Sequence, residues 1–339
     1  MKHHRPIQII KAPNSKQRFE GVAFSTSGKI MGSASSDTNI VYLFRRKTDN
    51  LFEDKPYQNI EGPESSLDYP HDLSFSKFGD TEILAVAQRR GSVALFLKNK
   101  NDDFFQNKPV FEISGPESGI KFSDGVAFVP PNDVYLAICN LTIGSISFHR
   151  KTDNIARFDL KPEFILEHNS ICQPDGLAFS QTGELLAVAN HGNHTVSVFR
   201  RQKNRLTNSG FIYGPNPSSV IKDPSFCYPH SVAFSPLTNH LVVTNAGANY
   251  FSIYKPSRGI KWFGNKIWFG NKMKFTGKSI LKIKFGDDDS FREINSCNKM
   301  EGGPKGIAIF NNDIAVCSQR FGISMYSFKE NKDNQLIVG

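Results

Sequence analysis

The stretch Asp175-Gly176-Leu177-Ala178-Phe179-Ser180-Gln181-Thr182-Gly183-Glu184-Leu185-Leu186-Ala187-Val188-Ala189-Asn190, continued by His191-Gly192-Asn193-His194-Thr195-Val196-Ser197-Val198-Phe199, decides the fold. Three short apolar runs, Asp175 to Ser180, Leu185 to Ala189 and Thr195 to Phe199, are separated by the turn-forming Gln181-Thr182-Gly183 and by the loop Asn190 to His194. The last run alternates with period two, and no 3.6 period outlasts a turn or two, so all three read as strands. A fourth strand is expected near Phe211-Ile212-Tyr213.

The opening phrase of that stretch (an ionisable residue, usually Gly, a small apolar pair, then Phe) occurs six times. The other copies are Glu20-Gly21-Val22-Ala23-Phe24, His71-Asp72-Leu73-Ser74-Phe75, Asp124-Gly125-Val126-Ala127-Phe128, His230-Ser231-Val232-Ala233-Phe234 and Lys305-Gly306-Ile307-Ala308-Ile309. From Phe24 the spacings are 51, 53, 51 and 55, then 75 to Ile309, so the last interval carries an insertion. Four short strands per copy, six times over, predict an all-β fold, a six-bladed β-propeller of four-stranded blades. One propeller domain should span 1–339, although length alone would suggest about two domains. An open ring would expose two sheet edges. Ile7-Gln8-Ile9-Ile10 is therefore expected to supply the outermost strand of blade six, whose first three strands fall near Gly306–Ile309, Ile314–Cys317 and Ile323–Phe328. Gln335-Leu336-Ile337-Val338 competes for that place.

In register, one column is wholly ionisable: Glu20, His71, Asp124, Asp175, His230 and Lys305. Each opens an innermost strand, so the six should converge on one mouth of the central channel. The second strands end at the same mouth with Ser35, Gln88, Asn140, Asn190, Asn245 and Ser318. A polar face around an axial hole is where a propeller ligand is expected, and the residues assigned to bind it are His71, Asp72, Asn140, Asn190, His191, Asn245 and Lys305. With His neutral the ionisable column sums to minus two, and Asp72 makes it minus three, on a chain of net charge +9. Clustered carboxylates raise one another's pKa unless a cation relieves them. Oxygen ligands admit one Ca²⁺, Mg²⁺ or Mn²⁺ on Glu20, Asp124 and Asp175, while His71 and His230 admit Zn²⁺. The alternative is internal: hydrogen bonds between blades, with Lys305 and Glu20 pairing across the seam of the ring.

The phrase Tyr228-Pro229-His230-Ser231-Val232-Ala233-Phe234-Ser235-Pro236, and Leu185 to Asn190 followed by Thr195 to Phe199, resemble the YVTN-type and lactonase-like propeller repeats over most of residues 18–328. Glu20-Gly21 and Pro174-Asp175-Gly176, with Asp where Asn is usual, are similar to the metal-binding turns of gluconolactonase-type six-bladed propellers. Asp124-Gly125 could stand for their third ligand, out of chain order. That resemblance implies a metal-dependent lactone or ester hydrolase in which the cation polarises the carbonyl and Asp175 or Asp124, with His230, manages the proton of the attacking water. The residues themselves favour a binding propeller that recognises a small molecule or protein partner at the mouth, with the hydrolase as the alternative.

Residues 255–285 hold nine basic residues and no acidic one, together with both tryptophans, Trp262 and Trp268, in a duplicated Trp-Phe-Gly-Asn-Lys. They read as a basic aromatic insertion between blades five and six, following blade five's third strand: an elongated hairpin with Gly264-Asn265 and Gly270-Asn271 as turns. Nucleic acid or an anionic surface is the third functional reading. Arg45-Arg46-Lys47 and Arg89-Arg90 read as exposed, and Asp287-Asp288-Asp289 as a solvated loop. Five cysteines without a C-x-x-C pair argue against a disulfide framework and for a reducing, cytoplasmic setting. No apolar run is long enough to span a membrane, no secretory leader is read at Met1, and a monomer is expected. Gly-x-Ser-x-Gly, Walker and dinucleotide fingerprints are absent.

Overall fold

A computed structural model describes residues 4–13, 18–152, 156–263, 266–285, 301–318, 322–330 and 336–338. Asp287-Asp288-Asp289, Cys297 and the turn Gly264-Asn265 lie outside them. Blade one is formed by Phe19–Phe24, Ile30–Ser35, Ile40–Arg45 and Gln58–Ile60, paired antiparallel in chain order. Blades two, three and five repeat that order, starting at Pro70–Phe78, Ser123–Phe128 and Pro229–Phe234. The chain is thus an all-β, six-bladed propeller of four-stranded blades.

Two blades depart from the simple repeat. In blade four the third strand, Thr195–Lys203, has nine residues and carries two partners end to end. Ser219–Ile221 pairs with Val196 to Val198 and is the fourth strand proper. Phe211–Tyr213, the segment expected there, pairs instead with Arg201 to Lys203 at the far end. Blade six does the same: Gln8–Ile10 lies on Ile323 to Met325 and Leu336–Val338 on Phe328 to Glu330, both along Gly322–Glu330. The N-terminal strand therefore closes the ring, and the C-terminal strand extends the same blade rather than displacing it. Among the described residues no helix is long and apolar enough to cross a membrane.

Among the described residues the apolar core falls into six clusters, each shared by two adjacent blades. Ile30, Val41 and Leu43 of blade one meet Leu73, Leu84 and Phe96 of blade two, and the pattern continues around the ring. The last cluster joins Ile10 of the closing strand with Phe19, Met31 and Tyr42 of blade one and Cys317 and Met325 of blade six. No blade buries its faces alone, which is why the sequence needs all six. Polar contacts seal the same junctions. Arg46, expected in solvent, is largely buried, stacks over Phe52 and reaches Asp313 Oδ2 at 2.7 Å, tying blade one to blade six.

The insertion is shorter than 255–285 and sits within blade five. Ser257–Phe263 and Lys266–Lys274 form a separate two-stranded ribbon, after which Leu281–Lys284 supplies blade five's fourth strand. Gly270-Asn271 is not a turn; it lies inside the second ribbon strand, where the register shifts between the Arg258 and Ile260 pairs.

Candidate functional site

At the start of the innermost strand in blades one to five, two residues face one on the second strand. Glu20 is the extra residue between the pairs Phe19–Ser35 and Gly21–Ala34. His71 is extra between Pro70–Gln88 and Asp72–Ala87. The register slips at the corresponding place in blades three, four and five. Such a bulge re-aims a side chain out of the sheet, and here it aims five of the ionisable residues at the axis; the sixth, Lys305, comes from just before the regular strand Ile307–Phe310, where its N–H donates to Cys317 O at 2.9 Å. The glycines that follow allow the blades to close in. A Cβ at Gly125 would stand 2.4 Å from the carbonyl oxygen of Asp175, and one at Gly306 2.7 Å from that of Glu20.

The six side chains meet and are buried. Lys305 Nζ lies 3.0 Å from Glu20 Oε2, the seam pair expected from the sequence. His230 Nε2 and His71 Nε2 approach the same oxygen at 3.4 and 3.7 Å. His71 Nδ1 faces Asp124 Oδ1 at 3.8 Å and Asp175 Oδ1 at 3.9 Å, and the two imidazoles stack with centroids 5.1 Å apart. Four residues outside the column complete the cluster. Arg18 Nε contacts Glu20 Oε1 at 2.5 Å, and Arg89 Nε contacts Asp124 Oδ1 at 2.7 Å. His191 bridges Asp175 Oδ2 (3.5 Å) and Glu301 Oε1 (3.2 Å). Arg89, read from sequence as exposed, is thus a central counter-ion.

Four carboxylates (Glu20, Asp124, Asp175 and Glu301) face three fixed cations (Arg18, Arg89 and Lys305), so the proton affinities spread. Burial would raise the Glu20 carboxyl, but Lys305 and Arg18 outweigh it and hold it well below the usual range. Burial, reinforced by Asp124, pushes Asp175 well above. Burial also depresses both central imidazoles, His71 strongly and His230 to about 4, with Lys305 acting in the same sense. At neutral pH the two histidines are uncharged, and Asp175 is the group best placed to keep a proton.

The remaining candidates occupy supporting positions. Asn140 and Asn190 are fully buried, with Oδ1 accepting from the backbone N–H of Lys121 and Cys172 and Nδ2 donating to hydroxyls of their own blade. Asn245 likewise accepts from Cys227 N–H. These amides pin the loops that lead into the innermost strands, and Asn245 Nδ2 is buried without a hydrogen-bond partner. Asp72 lies one residue beyond the ring and accepts from Val126 N–H at 3.2 Å, joining blades two and three; burial raises its carboxyl to about 7.

The ring encloses a cavity of about 10 Å³, room for one water-sized sphere. On its far side the channel opens into a chamber of about 330 Å³, lined by the column Ala23, Ser74, Ala127, Ala178, Ala233 and Ala308. Above the ring, Tyr69, Phe122, Gln173 and Tyr228, each with positive φ, immediately precede the innermost strands of blades two to five. Arg89 stacks over Phe122 and Tyr69, and His191 over Tyr228, making an aromatic and cationic rim.

Sequence reasoning missed Arg18, Arg89 and Glu301. Arg89 follows the second-strand end Gln88 as His191 follows Asn190, so one further column would have found it. Glu301 belongs to the stretch between blades where no repeat offers a register.

No protein-family model and no curated protein sequence matches the chain. Among solved structures it is similar to the β-propeller domain of Cps50 (Swd1) from Myceliophteria thermophila, at 12% identity with a TM-score of 0.56, over 92% of this chain and 84% of that one. At that identity the likeness shows a shared propeller architecture and assigns no ligand. Among the described residues Cys139, Cys172 and Cys317 are free thiols.

Proposed function

We propose that the protein is a binding propeller whose partner docks on the rim above the ionisable ring. The observation that carries this reading is the closure of the ring. Its carboxylates are at most 3% exposed and enclose about 10 Å³, so a partner meets Tyr69, Phe122, Gln173, Tyr228, Arg89 and His191 rather than the acids beneath them. Fold alone does not choose between binding and catalysis, but a buried, mutually paired cluster serves better as a rigid support for a recognition face. A small molecule would find its space in the axial chamber, which is within the usual size range of ligand pockets.

One further observation favours a divalent cation beneath the rim. Both ring nitrogens of His71 are buried without a hydrogen-bond partner, and they belong to two groups, Glu20-His71-His230 and His71-Asp124-Asp175, whose ligand atoms lie within 4.8 Å of one another. A mixed imidazole and carboxylate set suits Zn²⁺ or Mn²⁺ better than Ca²⁺ or Mg²⁺, and a cation would relieve the excess of carboxylate. The lactonase or esterase reading, with Asp175 or Asp124 and His230 as proton-handling groups, needs in addition a route for substrate to acids that are closed off here. A panel of lactones and esters with each cation, together with thermal shift and elemental analysis, separates the readings. Binding predicts no turnover attributable to the protein. Turnover that is abolished by Asp175→Ala would overturn it. Partner capture that survives Phe122→Glu combined with Tyr228→Glu would move the docking face elsewhere.

A further inference from the structure

The ribbon Ser257–Phe263 and Lys266–Lys274 joins no blade sheet. Its base is fastened: Arg200 Nη2 donates to Met273 O at 3.0 Å, Phe275 N–H to Ser219 Oγ at 3.0 Å, and Phe275 is buried against blades four and five. Toward the other end the cross-strand register pairs Ile260 with Phe269, Lys261 with Trp268, Trp262 with Ile267 and Phe263 with Lys266. Directly opposed residues share a face of an antiparallel ribbon. One face of the tip therefore carries Ile260, Trp262, Ile267 and Phe269, all apolar, and the other Lys261, Phe263, Lys266 and Trp268. Of the other seven cations, Lys255, Arg258, Lys272, Lys274 and Lys278 lie toward the base and Lys282 and Lys284 belong to blade five's fourth strand, and 255–285 contains no acidic residue.

We propose that this ribbon is a membrane-contact element whose aromatic tip enters the interfacial zone of an anionic bilayer. An apolar face backed by one with Lys261 and Lys266, above further cations toward the base, matches the layering of a bilayer surface, where tryptophan favours the interface and lysines near it gain about 1 kcal/mol each from acidic headgroups. A single-stranded nucleic acid needs cations interleaved with the aromatics it stacks on. The face with Ile260, Trp262, Ile267 and Phe269 offers none; the opposite face, with Lys261, Phe263, Lys266 and Trp268, interleaves them, so single-stranded RNA is the competitor that the experiment separates. Four residues of strand reach about 13 Å, enough for the shallow burial of an interfacial element.

Trp262 and Trp268 are the chain's two tryptophans, so tryptophan emission of the intact protein, excited at wavelengths where its nine tyrosines do not absorb, reports this ribbon alone. Phosphatidylcholine vesicles containing phosphatidylserine should shift the emission to the blue, and acyl-chain-brominated lipid should quench it. Pure phosphatidylcholine should do neither, and Lys261→Glu with Lys266→Glu should lower the bound fraction at least about tenfold without changing the melting temperature. The variant Trp262→Phe, folded by the same criterion, should keep a blue shift from Trp268. No response to either vesicle, equal binding to neutral vesicles, or a response to single-stranded RNA alone would overturn the proposal.

Discussion

His149 shows at the scale of one residue how this propeller handles buried titratable groups. It is fully buried, with Nδ1 2.9 Å from Asp159 O and Nε2 3.2 Å from Ser147 Oγ. Burial lowers its pKa despite the helpful carbonyls. A histidine depressed in the native state stays neutral where the unfolded chain takes up a proton, so its contribution to stability is full above about pH 6.5 and lost as pH falls below it. His149→Gln lacks this loss. Denaturant melts are expected to show a stability gap between wild type and variant of about 1 kcal/mol at pH 7.5 that narrows by pH 5. A gap that widens toward acid would mean that the imidazole is charged in the fold. The ring follows the same logic more strongly, since His71 and His230 combine burial with nearby cations.

At the scale of the strand, the bulge at the entry to each blade decides where the chemistry goes. Gly125 is the sharpest test, because an added Cβ would meet backbone of the neighbouring blade rather than a yielding side chain. Gly125→Ala should cost about 1–3 kcal/mol, read as a lower midpoint with an unchanged denaturant slope. An unaffected midpoint would show that the blades are not packed backbone to backbone. The column Glu20, His71, Asp124, Asp175, His230 and Lys305 was legible in sequence because the Phe four residues later sets its register. Its burial was not, because the groups that balance it stand outside that column: the cations Arg18, from the entry loop, and Arg89, from the loop after Gln88, and the acid Glu301, from between blades five and six. Blade four's fourth strand was misplaced for a similar reason. Phe211-Ile212-Tyr213 has strand composition, and only the unusual length of Thr195–Lys203 makes room for a second partner. The amides Asn140, Asn190 and Asn245 were seen as polar, but their loop-pinning role depends on backbone groups that no side-chain pattern displays.

At the scale of the whole molecule, stability is a property of the closed ring. Six clusters each borrow half their residues from the next blade, and the seam between blades six and one depends on Gln8–Ile10, on Ile10 in the shared core, and on Arg46 with Asp313. Removing residues 1–11 should therefore lower the melting temperature by well over 5 °C, since loss of Ile10 alone is expected to cost about 2–5 kcal/mol. An unchanged transition would mean that the seam is closed by other residues. Convergence of the six ionisable side chains is the claim on which the rest stands, and a double-mutant cycle on Glu20→Gln and Lys305→Met tests it most directly. Residues from opposite ends of the chain that touch at 3.0 Å should couple by about 1–3 kcal/mol, whereas effects that add within about 0.5 kcal/mol would show that blades one and six do not bring these side chains together.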